Sequence, residues 1–185
     1  NLRDQLPGLA WLSEKLFGFT AQRPLPKWRR DVFAPDQNAF GPTDGAEVVL
    51  FADTFNRTFE RENLDAAIDV LTAAGRRVHI AQSIEDDRPL CCGRTYLSAG
   101  LVDQARAEMK RTVEALAPFV ARGLPIIGLE PSCLLTLRDE FLSVLPGAAT
   151  EALAKNAVLL EEYLSQEHAA GCLDLDLHKS GEVLV

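Results

Sequence analysis

Three cysteines sit where thiol chemistry is available. Cys91 and Cys92 are adjacent in Pro89-Leu90-Cys91-Cys92-Gly93, and Cys133 ends Glu130-Pro131-Ser132-Cys133. Neighbouring side chains in a strand point to opposite faces, so only an irregular loop lets Cys91 and Cys92 approach one site. Gly93 permits such a path. Cys133 falls in the first turn of a helix that Glu130 caps and Pro131 opens. Unpaired N–H groups and the positive end of the helix dipole favour a thiolate there, the form that ligates metal. Free cysteine is equally at home as a small buried hydrophobe, which is the alternative for all three. A vicinal disulfide between Cys91 and Cys92 is a further option.

The elements that must position these residues read from apolar patterning. Val48-Val49-Leu50-Phe51-Ala52 has the pattern of a strand buried on both faces, and Asp53-Thr54-Phe55-Asn56 leaves its end. Leu64, Ala67, Ile68 and Leu71 predict a helix that Gly75 ends. Val78-His79-Ile80 is the next strand. Val102, Ala105, Met109, Val113, Leu116 and Val120 predict a long helix closed by Gly123, with Pro118 set to kink or shorten its last turn. Pro125-Ile126-Ile127-Gly128-Leu129 is a strand. Leu134, Leu137, Phe141, Val144 and Leu145 predict a helix stopped at Pro146-Gly147, and Leu153, Ala157, Leu160 and Leu164 a final one. Val183-Leu184-Val185 reads as the next strand.

Strand and helix alternate with connections too long for hairpins. The expected fold is α/β, a Rossmann-like parallel sheet with helices on both faces and right-handed crossovers, plus an irregular N-terminal arm. Sites in such sheets gather beyond the carboxyl ends of the strands, where Asp53, Cys91-Cys92 and Glu130-Cys133 would converge. Residues 1–45 form the arm, with Pro24, Pro26, Pro35 and Pro42 interrupting it and a short helix near Leu9 to Leu16. Its aromatics Trp11, Phe17, Phe19, Trp28, Phe33 and Phe40 lie against a neighbouring surface, either of this domain or of another. Residues 46–185 form the α/β domain.

The chain has 185 residues, 47% hydrophobic and 25% charged, the balance of an ordinary globular domain. Its net charge of −8 lacks the basic footprint of a nucleic-acid binder or a polybasic membrane patch. No apolar stretch reaches the roughly 18 residues of a helical membrane span. Asn1-Leu2-Arg3-Asp4 and the half-strand at Val185 make the chain read as a piece of a longer polypeptide. Cys172, His79, His168 and His178 show no ligand spacing and read as structural or surface residues. Dinucleotide, Walker and nucleophile-elbow patterns are absent.

At Pro89-Leu90-Cys91-Cys92-Gly93-Arg94 and at Gly128-Leu129-Glu130-Pro131-Ser132-Cys133-Leu134-Leu135-Thr136, the sequence resembles the cysteine-rich, or CCG, domain family. That family includes the heterodisulfide reductase B subunit and the iron–sulfur subunit of glycolate oxidase. The look is nearest to the C-terminal part of FAD-linked oxidases of the D-2-hydroxyacid dehydrogenase type (D-lactate, glycolate or D-2-hydroxyglutarate). The resemblance covers residue 46 to the end, the first half of a tandem cysteine-rich unit. It implies an electron-transfer module of a cytoplasmic oxidoreductase, peripheral to the membrane only through the parent protein. FAD would sit in the parent, outside this chain, and the partners would be its flavin, ferredoxin-like and second cysteine-rich parts.

The resemblance also implies a noncubane [4Fe–4S] site. Cys91 and Cys92 match the central pair and Cys133 the second member of the final pair. Asp53 and Glu130 stand where the full motif has cysteines, as auxiliary metal ligands or as groups behind them. Two alternatives accompany this reading: a structural, docking half that has lost its cluster, and a zinc site built from the same thiols and one carboxylate. The fragment alone is not expected to turn over substrate.

Overall fold

The computed structural model describes residues 2–35, 37–84, 87–173 and 175. The closing strand expected at Val183-Leu184-Val185, and His178, lie outside the described residues. In chain order the elements are α1 (Leu2–Gln5), α2 (Leu9–Phe17), β1 (Ala39–Phe40), β2 (Ala46–Leu50), α3 (Thr54–Thr58), α4 (Arg61–Ala73), β3 (Arg76–Ile80), α5 (Arg94–Ser98), α6 (Val102–Val120), β4 (Ile126–Gly128), α7 (Pro131–Arg138), α8 (Glu140–Val144), α9 (Ala148–Asn156), β5 (Ala157–Leu159) and α10 (Leu160–Ala169). The sheet order is β1-β3-β2-β4-β5. β3, β2, β4 and β5 run parallel, and only the two-residue edge strand β1 is antiparallel. This is the Rossmann-like α/β architecture the patterning predicts.

Period-two alternation in β2 divides the core in two. Val48 and Leu50 face Leu64, Ile68 and Leu71 of α4 and Tyr163 of α10. Val49 and Phe51 face the other layer, where Met109, Val113 and Leu116 of α6 meet Leu134 and Leu137 of α7, Phe141 of α8 and Leu153 of α9. β2 is thus covered on both sides, which is why it reads as an unbroken apolar run. Backbone bonds from Val49 N–H to Pro125 O (3.0 Å) and from Phe51 N–H to Ile127 O (2.8 Å) hold β2 against β4. β3 lies to one side of β2 and β4 to the other. The topological switch therefore falls between β2 and β4, with Asp53 and Glu130 just past their carboxyl ends.

Two expected helices are divided. The helix after Pro131 breaks at Asp139, whose N–H still bonds Leu135 O (3.0 Å), before α8 resumes. The single helix expected through Leu153, Ala157, Leu160 and Leu164 is two helices separated by β5. Asn156 Nδ2 donates to Ala152 O (2.8 Å) at the end of α9. Glu162 of α10 reaches back to accept from Leu159 N–H (3.0 Å), as a capping residue three positions into a helix does. The three-residue strand between them pairs with β4, so the helical spacing of those four residues bridges the break by coincidence. α6 continues past Pro118 to Val120.

The segment before β2 divides its aromatics. Phe33 is buried in the α4 layer and Phe40 packs partly against it, whereas Trp11, Phe17, Phe19 and Trp28 are exposed. Trp28 meets Phe59 with ring centroids 5.6 Å apart. No helix among the described residues is long and apolar enough to cross a membrane.

Leu134 is fully buried, and a Cβ placed on Gly128 would lie 2.7 Å from its Cδ1. Each of Leu134→Ala and Gly128→Ala is expected to destabilise the chain, the first by about 2–5 kcal/mol. The double variant should cost less than the sum, because the added methyl enters the space the leucine vacates. Urea unfolding of the four proteins measures the coupling.

Candidate metal or redox site

Asp53 and Glu130 occupy equivalent positions, each the cap of the helix that follows its strand. Asp53 Oδ1 accepts from Phe55 N–H and Asn56 N–H (both 3.0 Å), and Oδ2 accepts from Asn56 Nδ2 (2.6 Å). Asp53 is almost fully buried. Asn63 Nδ2 donates to Asn56 Oδ1 (2.8 Å), which extends the network into α4. Glu130 Oε1 accepts from Ser132 N–H (3.2 Å) and Ser132 Oγ (2.6 Å). Both carboxylates thus satisfy helix N-terminal donors, work that Asp commonly does at a cap and that Glu does less often.

The thiols come from two connections. Cys133, in the first turn of α7, and Cys92, in the loop after β3, are both buried within the core layer that holds Leu90, Met109 and Leu134. Cys91 is half-buried, and all four cysteines are free thiols. Cys92 neighbours Cys133, and Cys91 neighbours both Cys92 and Thr54 at the start of α3. The three sulfurs therefore form a chain of contacts at the rim of the sheet. Gly93 N–H points to Cys91 Sγ (3.5 Å).

Contact with the Cys92 thiol, followed by burial, holds Cys91 far above the ordinary thiol range. Contact with Cys133, with burial adding to it, pushes Cys92 up to about 12. These neighbours disfavour a second negative charge, so both groups are neutral thiols in the metal-free chain near pH 7. Among the described residues, no three of His, Cys, Asp and Glu are arranged to hold a metal ion. The donor chemistry divides accordingly. The three thiols are soft donors of the kind that suits an iron–sulfur cluster, while the two carboxylates are harder donors, of which Glu130 engages only Oε1 in its cap.

The residues that place the cysteine loop were not legible in the sequence. Arg111 of α6, nearly buried, donates from Nη1 to Arg88 O (2.8 Å) and from Nη2 to Pro89 O (2.6 Å), and pairs with buried Glu108 (2.6 Å). Thr112 Oγ1 donates to Cys91 O (2.9 Å). Arg94 reaches across to Thr136 Oγ1 of α7 (3.5 Å) and forms an ion pair with Glu140. Gly93 has a left-handed φ of 77°, and a Cβ there would lie 2.9 Å from Ala105 O. Only glycine fits both the dihedral and the close approach to α6. The one available signal was the polar pair Arg111-Thr112 at the border of the helix's apolar stripe, and their burial is decided by the loop they hold.

The remaining candidates lie elsewhere. His79 Nε2 of β3 bonds Glu47 Oε2 (2.5 Å) of the neighbouring β2. Cys172 is exposed, and its carbonyl accepts from Arg76 Nη2 (2.7 Å). His168 is in the last turn of α10.

Two kinds of curated relative align with part of the chain. D-2-hydroxyglutarate dehydrogenase of Pseudomonas putida is 32% identical over 100 residues, 54% of this chain. One of the subunits of the anaerobic glycerol-3-phosphate dehydrogenase of Escherichia coli K12, like its counterpart in the O157:H7 strain, is 33% identical over 79 residues, 42% of this chain. The chain is thus similar to parts of oxidoreductases. It spans only 9% and 19% of the length of these relatives. No protein-family model matches the chain, and no solved structure does.

Replacing Arg111 with Met should cost about 1–3 kcal/mol, since it leaves Arg88 O and Pro89 O without their donor while Glu108 keeps Arg88. It should also release the loop. In folded wild-type chain, iodoacetamide is expected to modify Cys172 quickly while Cys92 and Cys133 stay protected; in Arg111→Met, Cys91 and Cys92 should react sooner. Peptide mass spectrometry reads each site, and unchanged Cys92 protection in the folded variant would remove the anchoring role of Arg111.

The raised thiol of Cys92 has a signed consequence. A group whose pKa is higher in the folded state stabilises below its unfolded value, and that contribution is lost as pH rises through the folded one. Stability of the metal-free chain should fall between about pH 8.5 and about pH 12 more steeply than that of Cys92→Ser. Parallel pH profiles from urea unfolding test it.

Proposed function

We propose that the chain is an electron-transfer module of a larger FAD- and iron–sulfur-containing oxidoreductase acting on a 2-hydroxyacid. In this reading Cys91, Cys92 and Cys133 are the protein ligands of an iron–sulfur cluster. The contact chain Cys91–Cys92–Cys133 carries the proposal, because three soft donors from two separate connections meet at one rim of the sheet. The partial similarity to two dehydrogenases supports the oxidoreductase setting. A cluster held there would supply one-electron relay between a flavin elsewhere in the parent protein and an acceptor. Binding such a group would deprotonate thiols that are otherwise held neutral, as a metal does for any coordinating sulfur. Asp53 and Glu130 act in this reading by fixing the starts of α3 and α7, and so the positions of Thr54 and Cys133, rather than as ligands.

A second reading is favoured by a different observation. Both carboxylates at the cysteine positions of the full motif serve as helix caps, and no trio among the described residues is arranged around a metal. A half that has exchanged cluster ligands for caps would serve as a structural, docking unit for the rest of the parent.

Anaerobic purification of the 185-residue chain, with iron and acid-labile sulfide analysis and electron paramagnetic resonance after reduction, separates the two. The redox reading expects iron and sulfide in near-equal amounts and their loss in the folded Cys91→Ser, Cys92→Ser, Cys133→Ser triple variant. Wild-type chain free of both iron and sulfide after anaerobic reconstitution would leave the structural reading, and zinc alone would identify the thiol site as a zinc centre.

A further inference from the structure

A second polar site adjoins the thiol loop without using its sulfurs. A cavity of about 230 Å³ opens between α3, the carboxyl end of β3 and the run into Leu90. Its walls include Arg57, Gln82, Ser83, Asp87 and Arg88. The volume is several times the roughly 30 Å³ share of one water molecule, so a small ion with part of its hydration fits.

Arg57 makes this cavity more than a crevice. Its Nη1 donates to Phe33 O (3.0 Å), and its guanidinium carbon stands 5.6 Å from the centroid of the Phe33 ring. That fixes one side of the fork. The Nε–H is shielded from solvent and has no acceptor in the protein. A buried donor without an acceptor costs on the order of 1–3 kcal/mol, more on a charged group, and native proteins seldom leave one unexplained. Burial pulls the Arg57 pKa below its ordinary value, with the charge of nearby Asp53 opposing the shift. Asp53 itself is occupied by its cap, and so does not answer the Nε–H. Arg88 adds a second cation to the wall while its Nη1 pairs with Glu108 (2.5 Å), and Asp87 is the one carboxylate lining it among the described residues.

We propose that this cavity binds a small oxyanion, a carboxylate or a phosphate, through the Nε edge of Arg57 with Arg88 and Ser83 in its wall. Two oxygens on one centre match the parallel N–H vectors of that edge, which a lysine ammonium or a chloride ion cannot do. Reaching the shielded Nε–H requires the guanidinium to turn toward the cavity while Nη1 keeps Phe33 O. Arg88 is paired with Glu108 and Asp87 lines the same wall, so Arg57 is the cation that an anion would answer. The proposal requires no metal and stands apart from the cluster reading.

Nitrogen-15 NMR of the full chain tests it, with inorganic phosphate, acetate and chloride titrated separately at constant ionic strength. The expected result is a saturable shift of the Arg57 Nε–H resonance and of the Gln82 and Ser83 amides with phosphate or acetate and not with chloride; the more effective anion names the ligand type. Arg57→Lys, which keeps the charge but loses the fork, should weaken the response at least tenfold. If neither oxyanion shifts the Arg57 Nε–H saturably, or if folded Arg57→Lys binds as well as wild type, the proposal is wrong. Should the variant not fold, the wild-type Nε–H titration alone decides.

Discussion

The buried guanidinium of Arg111 is the constraint on which the candidate site depends. Among its described residues, the connection from β3 to α5 contains no regular element, so there is no ladder to hold their backbone. Arg111 takes two of its carbonyls, Arg88 O and Pro89 O, and Thr112 takes a third, Cys91 O. The charge this buries is answered by Glu108 one turn back on the same helix. A buried ion pair of this kind contributes modest net stability, but it costs a great deal to break, and so it specifies one loop conformation over its competitors. It fixes the backbone on either side of Leu90 and Cys92, which enter the core layer that also holds Cys133.

The second organising feature is the switch between β2 and β4. Parallel strands that diverge from β2 leave two helix starts side by side, and each start presents unpaired N–H groups. A thiolate, a metal-bound sulfur or a carboxylate can answer those groups. Here Asp53 and Glu130 do so. Cys133 follows Glu130 in the first turn of α7, and Cys91 and Cys92 lie in the connection that leads to α5.

The two flanks of the loop differ in chemistry. On the α6 side Cys92 and Cys133 are packed among Leu90, Met109 and Leu134, and contact with Cys133 together with burial raises the Cys92 thiol. On the α3 side Arg57 and Arg88 line a polar cavity. A single irregular connection therefore separates a region that disfavours anions from one that attracts them. Leu90 belongs to both walls, so the backbone held by Arg111 sets the geometry of each.

Much of this protein was readable from local rules. The strands at Val48, Val78 and Ile126 and the helices ending at Gly75 and Gly123 follow from apolar period and stop residues, because burial on fixed faces leaves those periods in the sequence. Gly93 and Pro131 likewise mark backbone demands that a single residue type meets. The strand Ala157–Leu159 was hidden, since three residues are too few to establish a period and the helical spacing continued across them. The α8 break at Asp139 was hidden for the same reason. At the site, the residue types and their placement past strand ends were legible, whereas their partners were not. Whether Asp53 caps or coordinates, whether Cys92 meets Cys133, and whether Arg111 faces solvent or a loop are decided by how the segments pack, some of them far apart in the chain. Such contacts leave no periodic trace in the chain; they exist only once the sheet order brings those segments to the same edge.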